Sequence, residues 1–181
     1  MRPFPLLLAA AFLAFAVPAL AAVGDLGFTR TDKTEAFGYY LPTAKIQVGN
    51  YVLTSLSLGT VGEFDAWEAA PDENANYAPF MLSFDDVTSP KAKDENGGTY
   101  YTRSIRVLPT AYNIGTTAIA FSGKNEALGT VQFEGTLNRA ALNAADNSGT
   151  LTSQDKPVLS GTLTAGGKTF KNIVFTWFGG D

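Results

Sequence analysis

The chain has 181 residues, 13 basic against 17 acidic side chains, a net charge of −4, and neither histidine nor cysteine. Those two absences remove Ser-His-Asp and Cys-His nucleophilic catalysis, the usual zinc, copper and haem ligands and every disulfide. The acidic balance argues against a nucleic acid or an anionic membrane surface as partner.

The first segment, "MRPFPLLLAAAFLAFAVPALA", has one basic residue, Arg2, then an apolar run from Leu6 to Val17 that Pro18 interrupts. Ala19-Leu20-Ala21 supplies the small-x-small pattern that a signal peptidase reads. The run is shorter than the roughly 20 residues a membrane-spanning helix needs. Residues 1–21 are therefore expected to be a signal peptide cleaved after Ala21, and the product to be periplasmic or secreted. With no cysteine after the small residues, no lipid anchor is implied. The remaining 22–181 is a single domain by length, large enough to bury about 70% of its unfolded surface without covalent staples.

Along that domain, "KIQVGNYVLTSLSLG" at Lys45–Gly59 alternates, with Gly49-Asn50 as a turn or bulge. Phe80–Phe84, Thr99–Leu108, Thr117–Gly123 and Leu128–Leu137 repeat the period of two, followed by Gly149–Ser153, Pro157–Thr164 and Lys168–Phe178. Turn-forming clusters such as "KDENGG", "SGKNE" and "SQDKP" separate them. Helical spacing is brief, at Glu63–Ala70 and Arg139–Asp146. The fold class is all-β: an antiparallel meander forming a small barrel or sandwich of about 8–10 strands, with one or two short helical turns. A membrane-embedded barrel fits poorly, because its strands need about 9–11 residues with an unbroken lipid-facing row.

"SGTLT" occurs at Ser148–Thr152 and Ser160–Thr164, and "EGTLN" at Glu134–Asn138. Such a step is one strand plus one turn. Each Leu is expected to point inward, and each Gly to sit where a strand begins or bends and a side chain would obstruct.

Three residues are candidate ligand contacts: Arg103, Tyr101 and Trp67. In "YYTRSIRV", counting by two puts Arg103 on the face of Tyr101, Ile105 and Val107. If that face is the inner one, Arg103 is a cation in an apolar interior that requires a carboxylate, such as Asp85, or an anionic ligand; if not, its stem carries the charge to solvent. Trp67, Tyr77, Tyr100 and Tyr101 lie near loops, where flat rings suit planar ligands or ordinary packing. The acidic stretch from Glu63 to Glu95 reads as a solvated face, and its "DENAN" and "DENGG" loops do not match a calcium loop. The last strand is apolar on both faces, Phe170, Val174 and Phe178 against Ile173, Phe175 and Trp177; a covering helix at Arg139–Asp146 or a partner surface would account for it.

The expected function is that of an exported soluble barrel or sandwich binding a small, partly apolar ligand, an anion if Arg103 anchors it. The alternative is a non-catalytic structural or protein-interaction domain of the bacterial envelope with a filled core. A minor alternative is an enzyme using Asp85 or Asp86 with Tyr100 or Tyr101. No catalytic residue, metal or cofactor is assigned. The partner is a small molecule or another envelope protein, without nucleic acid and without membrane insertion. Mass spectrometry of the processed protein should find an N-terminus within a residue or two of Ala22, and a soluble form retaining Met1 would contradict the compartment.

Overall fold

The computed structural model describes residues 27–31, 35–72, 74–148 and 157–180. The expected leader and the expected strand at Gly149–Ser153 lie outside them. In chain order the elements are β1 (Phe28–Arg30), β2 (Gly38–Pro42), β3 (Gln47–Val48), β4 (Tyr51–Leu58), α1 (Val61–Ala69), β5 (Phe80–Asp86), β6 (Lys91–Lys93) and β7 (Thr99–Tyr101). Then follow β8 (Ser104–Val107), β9 (Pro109–Ile114), β10 (Ala118–Asn125), β11 (Gly129–Leu137), α2 (Arg139–Ser148), β12 (Leu159–Ala165) and β13 (Lys168–Phe178).

Ten strands cross one curled sheet in the order β1-β9-β10-β11-β12-β13-β2-β4-β5-β8, a half-barrel, and β3 adds to β4. The all-β expectation is met. The pairing is antiparallel except between β1 and β9, which run parallel. The hairpin at Gly49-Asn50 joins β3 to β4, with Gly49 at a φ of 57°. The single strand expected at Thr99–Leu108 is broken at Thr102-Arg103: β7 pairs with β6 in a separate two-stranded ribbon, whereas β8 joins the main sheet beside β5.

The two flanks of the sheet meet in one stretch of chain. From Ser104 to Val107 that stretch pairs with β5; after Leu108 it becomes β9 and pairs with β10. Gly123 of β10 makes the crossing possible, because a Cβ there would lie 2.4 Å from the Leu108 carbonyl oxygen and 2.9 Å from Val107.

Seven rings, Tyr40, Phe80, Phe84, Tyr112, Phe121, Phe133 and Phe175, are fully buried in the core. The repeated Gly-Thr-Leu segments serve this packing. Leu137 and Leu163 point inward and are buried, as expected. Gly135 and Gly161, however, are mid-strand partners across β11 and β12, and the Phe133 ring covers both; a Cβ on either would come within 2.7 Å of that ring. They are small to admit an aromatic ring. The two-sided apolar pattern of the last strand has a similarly local origin. Between Gly161 and Leu163 the register with β13 shifts, and Asn172 takes a φ of 56°, a bulge that moves Phe170 onto the inner face with Ile173, Phe175 and Trp177. Val174 and Phe178 stay outside, and the Phe178 ring leans on Tyr39 at 6.4 Å.

α1 begins with a capping box, Thr60 and Glu63 exchanging side-chain and backbone hydrogen bonds, and buries Phe64 and Trp67. α2 starts after Asn138, whose side-chain oxygen accepts the Ala141 N–H, and turns Leu142 and Ala145 into the core.

Gly161→Ala should cost about 1–3 kcal/mol through overpacking against Phe133. Gly62→Ala, in open space within α1, should instead gain about 0.5–1 kcal/mol by restricting the unfolded chain. Thermal melting of the two variants should therefore move in opposite directions, and a shared direction would contradict the packing described.

Candidate functional site

The three residues singled out in the sequence do not converge. Trp67 lies on α1, 8% exposed, edge-on to Phe28 at 6.3 Å, and belongs to the core. Tyr101 lies on the β6–β7 ribbon with the Lys91 ammonium 4.8 Å from its ring centre. Arg103 occupies the break between β7 and β8, its side chain 67% exposed, 3.7 Å from Asp86 Oδ2. The inner-face alternative for Arg103 is thus corrected. Ile105 and Val107 do face inward, but the strand begins at Ser104, so the alternation does not extend back to Arg103. Asp86 is held below the usual carboxylate range mainly by the Thr88 hydroxyl and N–H, with Arg103 a minor contributor.

Among the described residues a cation that does turn inward is Arg30, absent from the sequence-derived candidates. Its side chain is 3% exposed and reaches from edge strand β1 to α1, where Nε donates to Glu68 Oε1 at 2.6 Å and Nη2 pairs with Asp65. Its guanidinium stands 4.9 Å from the Phe64 ring centre. The buried Tyr112 hydroxyl donates to the same Glu68 oxygen at 2.9 Å. Arg30 draws the Glu68 carboxyl below its usual range, while burial and then Glu68 push the Tyr112 phenol up. The acidic stretch is therefore not a uniformly solvated face. Asp65 and Glu68 neutralise Arg30, Glu63 caps α1, and Asp72 and Asp94 accept the backbone N–H two residues on, fixing turns in "DENAN" and "DENGG".

A surface groove of about 560 Å³ opens where β8 and β10 diverge beyond Leu108. Ser104, Arg106 and Leu108 line one side at alternate positions of the strand, and Lys124, Asn125 and Glu126 at the end of β10 line the other. Ala75 and Asn76 close the rim, and the Asn76 carbonyl accepts a 2.9 Å hydrogen bond from Arg106 Nη1. The Asn125 side chain accepts the Ala127 N–H and so shapes the β10–β11 turn. A shallower depression of about 400 Å³ shares Lys124, Asn125 and Glu126 and continues to Gly129 and Thr130. On an acidic protein this groove gathers two cations against one carboxylate, with amide and hydroxyl groups between them. That chemistry supports binding of a polar ligand with negative charge. The signal for it in the sequence was Arg106 alternating with Ser104 and Leu108, but nothing local indicated that Lys124 would lie opposite.

The network around Arg30 sets a pH dependence. Glu68 titrates below its ordinary range in the folded chain, so its contribution is present at and above that range and is lost as the pH falls through the lowered value. Glu68→Gln should cost about 1.5–3 kcal/mol at neutral pH, the range for hydrogen bonds to charged groups. It should also flatten the fall in stability between about pH 5 and pH 3. Chemical denaturation across that interval checks both, and an unchanged acid limb would show that Glu68 does not set it.

Comparison of the chain with protein-family models, with curated proteins and with solved structures returns no match.

Proposed function

We propose that the protein is an exported, non-catalytic binding domain whose ligand carries negative charge and lies in the groove between β8 and β10. The observation that carries this reading is the placement of Arg106 and Lys124 on opposite walls of one groove, in a chain whose net charge is negative. The buried rings pack on one another inside the half-barrel, Phe80 on Phe121 at 5.0 Å and Phe133 on Phe175 at 5.7 Å, which favours an outer site over a ligand held within it. The recognition is electrostatic and solvent-exposed, so it weakens as added salt shortens the Debye length to about 8 Å and below. Among the described residues no helix is long and apolar enough to cross a membrane.

The protein purified from its own host should retain an anionic ligand in native mass spectrometry. Reversing both cations, Arg106→Glu with Lys124→Glu, should weaken that binding by about tenfold or more, equivalent to about 1.4 kcal/mol, with little change in melting temperature because both side chains are exposed. Undiminished retention by the reversed protein would refute the reading.

A further inference from the structure

The groove is bounded by a strand edge as well as by side chains. The Asp86 N–H donates to the Arg103 carbonyl at 3.0 Å, which fixes the phase of the β5–β8 ladder. Hydrogen-bonded and non-hydrogen-bonded pairs alternate in an antiparallel ladder. Phe84–Ile105 and Leu82–Val107 are then the bonded pairs, and Asp85–Ser104 and Ser83–Arg106 the unbonded ones. The backbone N–H and C=O of Ser104 and Arg106 consequently point away from β5. Among the described residues β8 ends the sheet on that side, so these groups face the groove.

We propose that the ligand of this groove is an extended polypeptide segment of a partner protein, added to β8 as a further strand and carrying acidic side chains at alternate positions. The inference rests on the groove reading and gives it a ligand class. Backbone pairing to an exposed edge supplies affinity and alternate side-chain sites supply specificity. A strand laid beside β8 sends every second side chain to the outer face, toward Arg106 and Lys124, and the others toward the face of half-buried Ile105. Carboxylates suit the first set and apolar side chains the second. Gly123 of β10 lies against the Leu108 carbonyl, β10 pairs with β9 and β8 with β5, and the groove of about 560 Å³ between β8 and the end of β10 is where a strand added at the usual spacing of roughly 4.8 Å would lie. The edge is four residues long and carries a cation, features that restrain indiscriminate pairing.

The probe is a capped heptapeptide alternating valine and aspartate, compared with two N-methylated forms, one blocked at the amides of the valines and one at those of the aspartates. Binding is followed by isothermal titration and by amide exchange. The expected result is saturable binding that protects the Ser104 and Arg106 amides, with one methylated form weakened at least tenfold and the other much less. Ser104→Pro, which deletes an edge N–H at a position an edge strand tolerates, should bind at least tenfold more weakly than Ser104→Ala. If Ser104→Pro does not fold, the two methylated peptides still decide. Equal binding of both methylated forms, no binding of the parent peptide at millimolar concentration, or self-association that protects the same amides without peptide would each overturn the strand. Peptide failure alongside charge-dependent retention of a small anion leaves the groove reading standing. Peptide binding that survives reversal of Arg106 and Lys124 but is lost in Ser104→Pro keeps the strand and removes the electrostatic reading.

Discussion

The chain between Ser104 and Ile114 must change partners partway, from β5 to β10 and β1, and the curl of the sheet depends on it doing so. Its first half bonds to β5 and its second half to β10, with the change of partner at Leu108. Two residues make the change of partner possible. Gly123 lets β10 come close enough to meet the Leu108 carbonyl, and Pro109, the first residue of β9, has no N–H to leave unpaired at the corner. Because one stretch cannot follow both neighbours along its whole length, β8 parts from β10 on one side of Leu108. The groove is the geometric remainder of that divergence, and so the site and the half-barrel have a common cause.

A chain without cysteine must hold this shape by packing alone, and it does so with rings. Tyr112 is the most connected of them, meeting Phe28 at 5.0 Å, Phe64 at 5.4 Å and Phe80 at 6.2 Å while its hydroxyl serves Glu68. Arg30, Glu68 and Asp65 add directional contacts that an apolar patch would lack, so α1 has one seat on β1 and β9. Arg30 is buried but Asp65 and Glu68 are part exposed, so desolvation and solvent screening offset much of the attraction; the clearer effect of the group is to fix how the helix docks. The packing is not polar-perfect. The Trp67 indole N–H and the Ser57 hydroxyl are buried and have no hydrogen-bond partner among the described residues, each costing about 1–3 kcal/mol that the apolar contacts around them offset.

Alternation made much of this architecture legible. β4, β5, β10, β11 and β13 lie where side chains of period two announce them, and both helices fall within two residues of their expected positions. β1 and β2 went unread because three residues, and five with glycine and proline at the ends of β2, carry too little pattern. The error at Thr99–Leu108 is more instructive. The sequence alternates without interruption, yet the hydrogen-bonding partners change at Thr102, and partners are a tertiary fact that no local period encodes. The same limit explains the site. A strand-like pattern allowed Arg103 either an inward or a solvent-reaching place and could not decide between them, whereas Arg30 had only a short segment around it and its carboxylates lay 35 and 38 residues away. Arg106 and Lys124, similarly, share a groove only because the chain turns at Leu108.

The pairing of β13 with β2 imposes an order of events on the newly made protein. Phe175 lies opposite Pro42 and Trp177 opposite Tyr40, and the Trp177 indole N–H donates to the Phe37 carbonyl at 3.0 Å. More than a hundred residues separate these partners, so the loop that must close is nearly the length of the domain, and contacts of such range slow folding. A chain delivered N-terminus first therefore presents β2 with one bare edge throughout its emergence, with the closing strand the last to arrive. During that interval β2 is open to pairing with a wrong strand, because the edge along Gly38–Pro42 stays bare until β13 covers it.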